Sequence, residues 1–190
     1  LNADYGAAGL LGHDGHGTNR WEVGGKALLE QEPAQGRYLF LAGSAEQHVA
    51  LVAQGSTLTA RFKNGSDEST LTLPYTPGQA FGWRLYHRPD GNRRFLGLEV
   101  VSDDVQAAEV EGLLPRTDAD EVPYTGFAYF RPTGGVVFGK APDTVAQDAD
   151  KLYLWEAYAR NVPMVSVEHA RACIDPRPYT VTYRPVGNQT

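Results

Sequence analysis

The chain has 190 residues, of which 42% are hydrophobic and 21% are charged. That length fits one domain with a substantial core, and no apolar run reaches the roughly 18 residues of a membrane span. The net charge of −6 argues against non-specific nucleic-acid binding, which depends on a basic surface. The single cysteine, Cys173, excludes an intramolecular disulfide framework and any cysteine-rich metal site.

The N-terminal stretch, residues 1–20, is rich in glycine and alanine and lacks sustained periodicity. We expect it to form an arm or loop in front of a single β-rich domain that spans 1–190. The chain begins at Leu1, and its one methionine is Met164. This fits a mature chain whose signal peptide has been removed, although a trimmed chain would look identical. We therefore expect an exported protein, secreted or periplasmic.

Short runs of branched and aromatic residues, separated by turn residues, predict strands in the first part of the chain. The first run contains Gly24-Gly25, which predicts a bulge. Residues 56–63 alternate between apolar and polar side chains, and Asn64-Gly65 predicts the turn that follows them. The predicted strands here are residues 21–30, 37–42, 47–53, 56–63 and 69–73.

The centre of the chain, residues 81–101, predicts a β-hairpin that turns at Asp90-Gly91. A glycine after Asp supplies the positive φ that a tight turn needs, and this turn would place Trp83 opposite Leu98. The side chains on one face of the hairpin are apolar, which is typical of a strand pair that covers a core. These core candidates are Phe81, Trp83, Leu85, Leu96, Leu98 and Val100.

The opposite face of the hairpin is aromatic and cationic, and it provides the candidate ligand-binding residues. Aromatic faces suit planar ligands, and arginine suits anions. If a second layer covers this face, it is part of the scaffold; if solvent covers it, it forms a binding patch. The sequence leaves both alternatives open. The candidates are Arg84, Tyr86, Arg88, Arg93 and Phe95.

The second half of the chain has weaker periodicity. Residues 102–122 are acidic and are expected to wrap the surface, either folding back beside the hairpin or leaving its arginines as an anion-binding face. Residues 124–131 and 136–140 predict another hairpin, 151–160 a strand in preference to a helix, 166–173 a short helical turn and 179–183 a last strand. The fold is therefore expected to be mainly β, an antiparallel β-sandwich or barrel with long surface loops and little helix.

Two imidazoles and a carboxylate lie within a glycine-rich stretch, at His13, Asp14 and His16. Such ligands suit Zn²⁺ or Cu²⁺, and the glycines would let the backbone fold around the ion. The same stretch also fits a solvated polar loop, so a divalent metal site is one of two interpretations. The candidates for a fourth ligand are His48, His87 and His169.

Other titratable residues give isolated patterns. His87 ends the core face of the hairpin opposite Arg94, which predicts a neutral hydrogen-bonded imidazole or a residue at the rim. Cys173 lies near His169, but catalytic cysteines normally meet their histidine through the fold, so we expect a buried structural cysteine. No Gly-x-Ser-x-Gly elbow, Walker loop or dinucleotide fingerprint occurs in the sequence.

The aromatic side chains exceed what one small core must bury; the residues in question are Trp21, Trp83, Trp155, Tyr86, Phe95, Tyr129 and Tyr153. A tryptophan at a pocket rim offers a flat apolar face and one donor, which suits sugars and planar ligands. Without a catalytic motif, the sequence favours an exported non-catalytic binding domain for a sugar, a small planar ligand or a protein. The alternatives are a metal-dependent enzyme that uses the His13, Asp14 and His16 cluster, and an inhibitor or interaction protein that acts through a flat surface.

Overall fold

The computed structural model describes residues 21–90, 93–113, 134–140, 151–160 and 167–177. Within those ranges the chain forms ten strands and one helix. The predicted arm at 1–20 and the predicted strands at 124–131 and 179–183 lie outside the described residues. The elements are β1 (Trp21–Leu29), β2 (Arg37–Gly43), β3 (Gln47–Gln54), β4 (Thr57–Asn64), β5 (Asp67–Pro74), β6 (Phe81–Asp90), β7 (Arg93–Val101), β8 (Val105–Leu113), β9 (Val136–Phe138), β10 (Leu152–Arg160) and α1 (Val167–Ile174).

The ten strands form two antiparallel sheets that pack face to face. Sheet A has the order β10-β1-β6-β7-β8, and sheet B has the order β5-β4-β3-β2-β9. Their inner faces share one core, in which the ring of Phe40 from sheet B lies 6.2 Å from that of Trp83 in sheet A. The prediction of a β-sandwich is confirmed, and the alternative of a barrel is wrong because the described strands do not close into one.

Period-2 alternation within single strands is confirmed. In β4, Leu58, Ala60 and Phe62 are completely buried in the core, while the threonines and Arg61 between them point away from it. The segment 151–160 is a strand, as predicted, because Leu152 and Leu154 pack against the core from alternate positions. The apolar hairpin residues predicted for the core are likewise buried.

The register of the central hairpin differs from the prediction by two residues. Asp90 pairs with Arg93, so Gly91 and Asn92 stand between the strands and Trp83 pairs with Val100. Gly-Asn is as good a two-residue hairpin loop as Asp-Gly, so the sequence allowed either register. A shift of two residues leaves each side chain on its predicted face but changes its partner on the other strand.

The acidic stretch after the hairpin contains a strand and does not merely wrap the surface. Residues Val105–Leu113 form β8, which pairs with β7 along its whole length. The prediction of a connector without regular structure was wrong here because alternation is weak: the positions paired with Val100 and Leu98 are Gln106 and Ala108. The alternative in which this stretch folds back beside the hairpin is confirmed for residues 105–113.

Helix α1 lies on the face of sheet A that is turned away from sheet B, which we call the outer face. It packs against β1 and β6, and it completely buries Ala170 and Ile174. The helix approaches so closely that a side chain at Gly82 would clash with the carbonyl oxygen of Ile174. The predicted helical turn is confirmed, and it covers part of the outer face.

Among the described residues, no helix has the length and hydrophobicity that a membrane span requires.

On the opposite side of the sandwich, His48 gives sheet B a pH-dependent contribution to stability. Burial lowers its pKa below the ordinary 6.5, although its Nδ1–H donates to the carbonyl oxygen of Ser44 at 3.0 Å; the charge of Lys63 lowers the pKa further. Because the folded state resists protonation of this ring, the stabilising effect is complete above the unfolded pKa and is lost as pH falls below it.

We therefore expect the free energy of unfolding to decline as pH falls from about 6.5 towards 5. The variant His48→Gln keeps a donor for Ser44 but has no proton to gain, so its decline should be shallower. Urea titrations of both proteins across this range measure the difference. The other histidines are the same in both proteins, so their contributions cancel. Parallel pH curves for the two proteins would show that His48 has no such effect.

Candidate functional site

Of the five predicted ligand-binding residues, the structure describes the side chains of Arg84, Tyr86 and Phe95, which lie on the outer face of sheet A and differ in accessibility. Arg84 is 2% exposed and Tyr86 is 6% exposed, whereas Phe95 is partly exposed. The side chains of Arg88 and Arg93 lie outside the described part of the structure. The assignment of all five as ligand contacts stays a prediction, and of the three described side chains Phe95 presents the most surface.

Arg84 lies at the centre of a row of ion pairs that crosses the outer face. Its Nη1 is 3.1 Å from Oε2 of Glu22 on β1, and its Nη2 is 2.7 Å from Oε2 of Glu99 on β7. All three side chains are almost completely buried. Burying charges is costly unless they are paired and hydrogen-bonded, so these contacts hold the guanidinium in a structural role.

Two partly exposed arginines extend this row at its ends. Arg160 on β10 donates to Glu22 through Nε at 2.9 Å and also through Nη2. Arg171 on α1 donates to Glu99 through Nη2 at 3.0 Å. We call the complete row Arg160, Glu22, Arg84, Glu99 and Arg171 the ion-pair ladder. It connects four strands of sheet A with the helix that covers them.

Tyr86 is held beside the ladder by three neighbours. The guanidinium of Arg84 lies 4.5 Å from its ring centre, and its hydroxyl donates to Oε1 of Glu109 on β8 at 2.5 Å. The ring also fills the space above Gly97, where any side chain would clash with it. Burial raises the pKa of Tyr86, and the hydrogen bond to Glu109 raises it further, so the phenol stays protonated.

His87 belongs to the core side of the hairpin. It pairs with Leu96, so the predicted position opposite Arg94 was wrong, for the same reason that the register of the hairpin was wrong. Its ring is 3% exposed and stacks on Trp21, with ring centres 6.1 Å apart. His87 is therefore a buried residue of the sandwich and not one at its rim.

The proposed metal ligands His13, Asp14 and His16 lie outside the described residues, so that site stays a prediction. Of the candidates for a fourth ligand, His48 lies on sheet B and His87 on sheet A, while the side chain of His169 is not described. Within the described ranges, no three His, Cys, Asp or Glu side chains are grouped so that they could hold a metal ion. Cys173 is a free, partly exposed thiol on α1, so the prediction that it is buried was wrong: the buried face of the helix is formed by Ala170 and Ile174, four positions apart.

Strand β10, at the edge of sheet A in the described structure, displays three aromatic residues on the outer face. They are Tyr153, paired with Leu28, Trp155, paired with Lys26, and Tyr158, paired with Gly24. The sequence singled out Trp155 and Tyr153 as surplus aromatic residues but did not show that they share a face with Tyr158. We call these three residues the aromatic strip. Leu152, Leu154 and Ala159 pack against the core from the opposite side of the same strand.

A β-bulge brings the strip onto one face. Trp155 and Tyr158 are three positions apart, so a regular strand would point them in opposite directions. The register shift between Gly24 and Lys26 places two residues of β10 opposite Gly25, and one of them, Glu156, has φ of 50°. Positive φ is uncommon for a residue other than glycine and is often found where the backbone positions a functional group.

The strip is most accessible at Tyr153, which is 45% exposed. Its hydroxyl donates to Oε1 of Glu30 at 3.0 Å, and Nζ of Lys151 lies 3.6 Å from Oε2 of the same carboxylate. Trp155 is partly exposed. At the other end, the hydroxyl of Tyr158 is buried, and burial and the charge of Glu22 raise the pKa of this phenol. Tyr153 and Trp155 thus form the part of the strip that a ligand can reach.

One sequence signal pointed towards the strip. Leucine alternates with aromatic residues at Leu152 to Trp155, which indicates one apolar face in the core and a second, aromatic face outside it. The Gly24-Gly25 pair correctly predicted an irregularity in β1. The extra residue belongs to the partner strand β10, and no pattern within β1 could show this.

No family model matches this chain, and no curated protein matches it in sequence. Among solved structures, the chain is similar to one described as the crystal structure of botulinum neurotoxin serotype C1 binding domain, with a TM-score of 0.36 and 6% sequence identity. The match covers 78% of this chain and 29% of the other, so this chain spans less than two thirds of its length.

Proposed function

We propose that this protein is a non-catalytic binding domain whose ligand lies against the aromatic strip of β10. The observation that carries the proposal is the partly exposed Trp155 beside the exposed Tyr153, on an edge strand of a rigid sandwich. Large exposed aromatic rings are disfavoured in water and enriched at binding surfaces, where they supply contact area at low entropic cost. Export of the domain, secreted or periplasmic, remains part of the proposal.

The three tryptophans make this proposal testable by fluorescence. Trp21 is 2% exposed and Trp83 is completely buried, so a ligand on the strip should change the emission of Trp155 alone. We expect at least one ligand from a panel of glycans, planar molecules and peptides to alter this emission and raise the melting temperature. The variant Trp155→Phe should lose the fluorescence change and keep the fold.

A second variant separates the strip from the hairpin face predicted from the sequence. Phe95 is the most accessible described residue of that face, so Phe95→Ala should weaken binding only if the ligand lies on the hairpin. If the ligand lies on the strip, Phe95→Ala leaves its affinity unchanged and Tyr153→Ala reduces it. Absence of any emission change or stabilisation across the whole panel would contradict a binding function for either face.

A metal-dependent enzyme that uses His13, Asp14 and His16 remains the second candidate. Elemental analysis of the purified protein tests it directly, because a catalytic metal would be present in stoichiometric amount. A protein free of metal and indifferent to a chelator would remove this alternative.

A further inference from the structure

We infer that the ligand of the aromatic strip is a neutral, extended carbohydrate, an inference that rests on the binding function proposed above. The strip offers flat apolar surfaces in a line, with paired charges beside them. A sugar ring has the complementary character, because it presents an apolar C–H face and a rim of hydroxyl groups.

The spacing of the rings favours a ligand with repeating units. Tyr153 and Trp155 are two residues apart on an extended strand, which separates their positions by roughly 7 Å. Both lie on the same face and on an edge strand of sheet A in the described structure. Consecutive rings of a linear glycan can therefore rest on consecutive aromatic side chains, whereas a single small planar molecule would use one of them.

The charges beside the strip indicate that the ligand is neutral. At one end Glu30 accepts from Tyr153 and lies near Lys151. Beside Trp155, Nζ of Lys26, which is 7% exposed, lies 2.6 Å from Oε2 of the exposed Glu156. Each of these carboxylates has an ammonium partner, and Arg160, whose guanidinium lies 4.9 Å from the ring centre of Tyr158, is paired with Glu22, so a charged ligand would meet charges that already have partners. Hydroxyl groups, in contrast, can donate to the carboxylates and accept from the ammonium groups.

Glu156 has a positioning role in this site because its backbone conformation creates the bulge. The positive φ at this residue accommodates the extra residue of the bulge. Because of that extra residue, Tyr158 lies on the same face of the strand as Trp155. Positive φ at a residue other than glycine costs free energy, and such strained conformations occur most often at functional sites.

The binding test compares glycans of different charge on the intact protein. Isothermal titration with linear neutral oligosaccharides and with polygalacturonate and heparin fragments should give saturable binding only for the neutral class. Tyr153→Ala and Trp155→Ala should each weaken that binding at least tenfold, as central aromatic contacts commonly do. Tyr38→Ala, a partly exposed tyrosine on β2 of sheet B, is the matched control and should leave the affinity unchanged.

The positioning role is tested by two substitutions that remove the same charge. Asparagine tolerates positive φ, whereas β-branched valine resists it. Both variants lose the carboxylate equally, so Glu156→Asn should bind the neutral glycan at least tenfold more tightly than Glu156→Val. Thermal unfolding of both variants shows that each is folded at the temperature of the titration. Equal affinities for the two folded variants would overturn the positioning role.

The outcomes distinguish this inference from the proposed function. Binding of a peptide, a planar molecule or only an acidic glycan, with a change in Trp155 emission, would overturn the neutral carbohydrate and leave the binding domain in place. Neutral-glycan binding that Tyr153→Ala and Trp155→Ala do not weaken would overturn the site. Absence of any binding partner in the panel would contradict both.

Discussion

Replacing Arg84 with methionine is expected to lower the free energy of unfolding by about 3 kcal/mol, the low end for a broken buried ion pair, because Glu22 and Glu99 lose their shared cation and keep only the partly exposed Arg160 and Arg171. Glu22 is 1% exposed and Glu99 is 2% exposed, so neither can recover its hydration without local opening of the sheet. Methionine fills a similar volume, and the loss is therefore electrostatic rather than a cavity effect. Urea titration monitored by circular dichroism measures the change.

Two further variants isolate the cause of that loss. Arg61→Met makes the same chemical change at an exposed position of β4, where surface substitutions usually alter stability by less than about 0.5 kcal/mol. Adding Glu22→Gln and Glu99→Gln to Arg84→Met should restore part of the lost stability, because uncharged amides do not require a counterion. A triple variant less stable than Arg84→Met alone would show that Arg160 and Arg171 still compensate the two carboxylates, so that loss of the shared cation does not explain the effect.

The faces of the strands could be predicted from the sequence because side-chain alternation is a local property. The apolar positions of β4 and of the central hairpin follow from period-2 spacing alone. Pairing between strands is not local, and here two acceptable loops, Asp90-Gly91 and Gly91-Asn92, competed. The two-residue shift kept Trp83 in the core and changed the partner of Arg84 from Gly97 to Glu99.

That single change of partner alters the interpretation of the hairpin's second face. Opposite Gly97, Arg84 would be an unpaired cation and a candidate ligand contact. Opposite Glu99, and with Glu22 62 positions earlier in the chain, it is a buried structural residue. No local pattern connects residues this far apart, so the ladder could not be read from the sequence.

The aromatic strip was hidden for a related reason. Regular alternation assigns Trp155 and Tyr158 to opposite faces, and only the pairing of β10 with β1 introduces the extra residue that unites them. Interleaved leucines did predict the strand itself. The element was therefore predictable from composition, whereas the surface that it builds depends on a bulge specified by its neighbour.

Replacing Gly82 with alanine is expected to detach helix α1 from the outer face. A methyl group there would clash with the carbonyl oxygen of Ile174 and would lie 2.9 Å from its Cβ. Backbone atoms cannot turn aside as a flexible side chain can, so helix or strand must move, at a typical cost of about 1–3 kcal/mol. Because Cys173 is the only cysteine in the chain and lies on α1, its labelling rate by a thiol reagent reports on docking. We expect that rate to rise about tenfold or more.

Gly135→Ala provides the control, because no atom lies within 4 Å of the added methyl group and its φ is not in the left-handed region. It should change neither stability nor labelling of Cys173. Detaching α1 also withdraws Arg171 from Glu99, so Gly82→Ala and Arg171→Leu remove the same contact. The loss of stability in the double variant should therefore be smaller than the sum of the losses in the two single variants. Full additivity, or unchanged labelling in Gly82→Ala, would mean that the helix and the ion-pair ladder are independent.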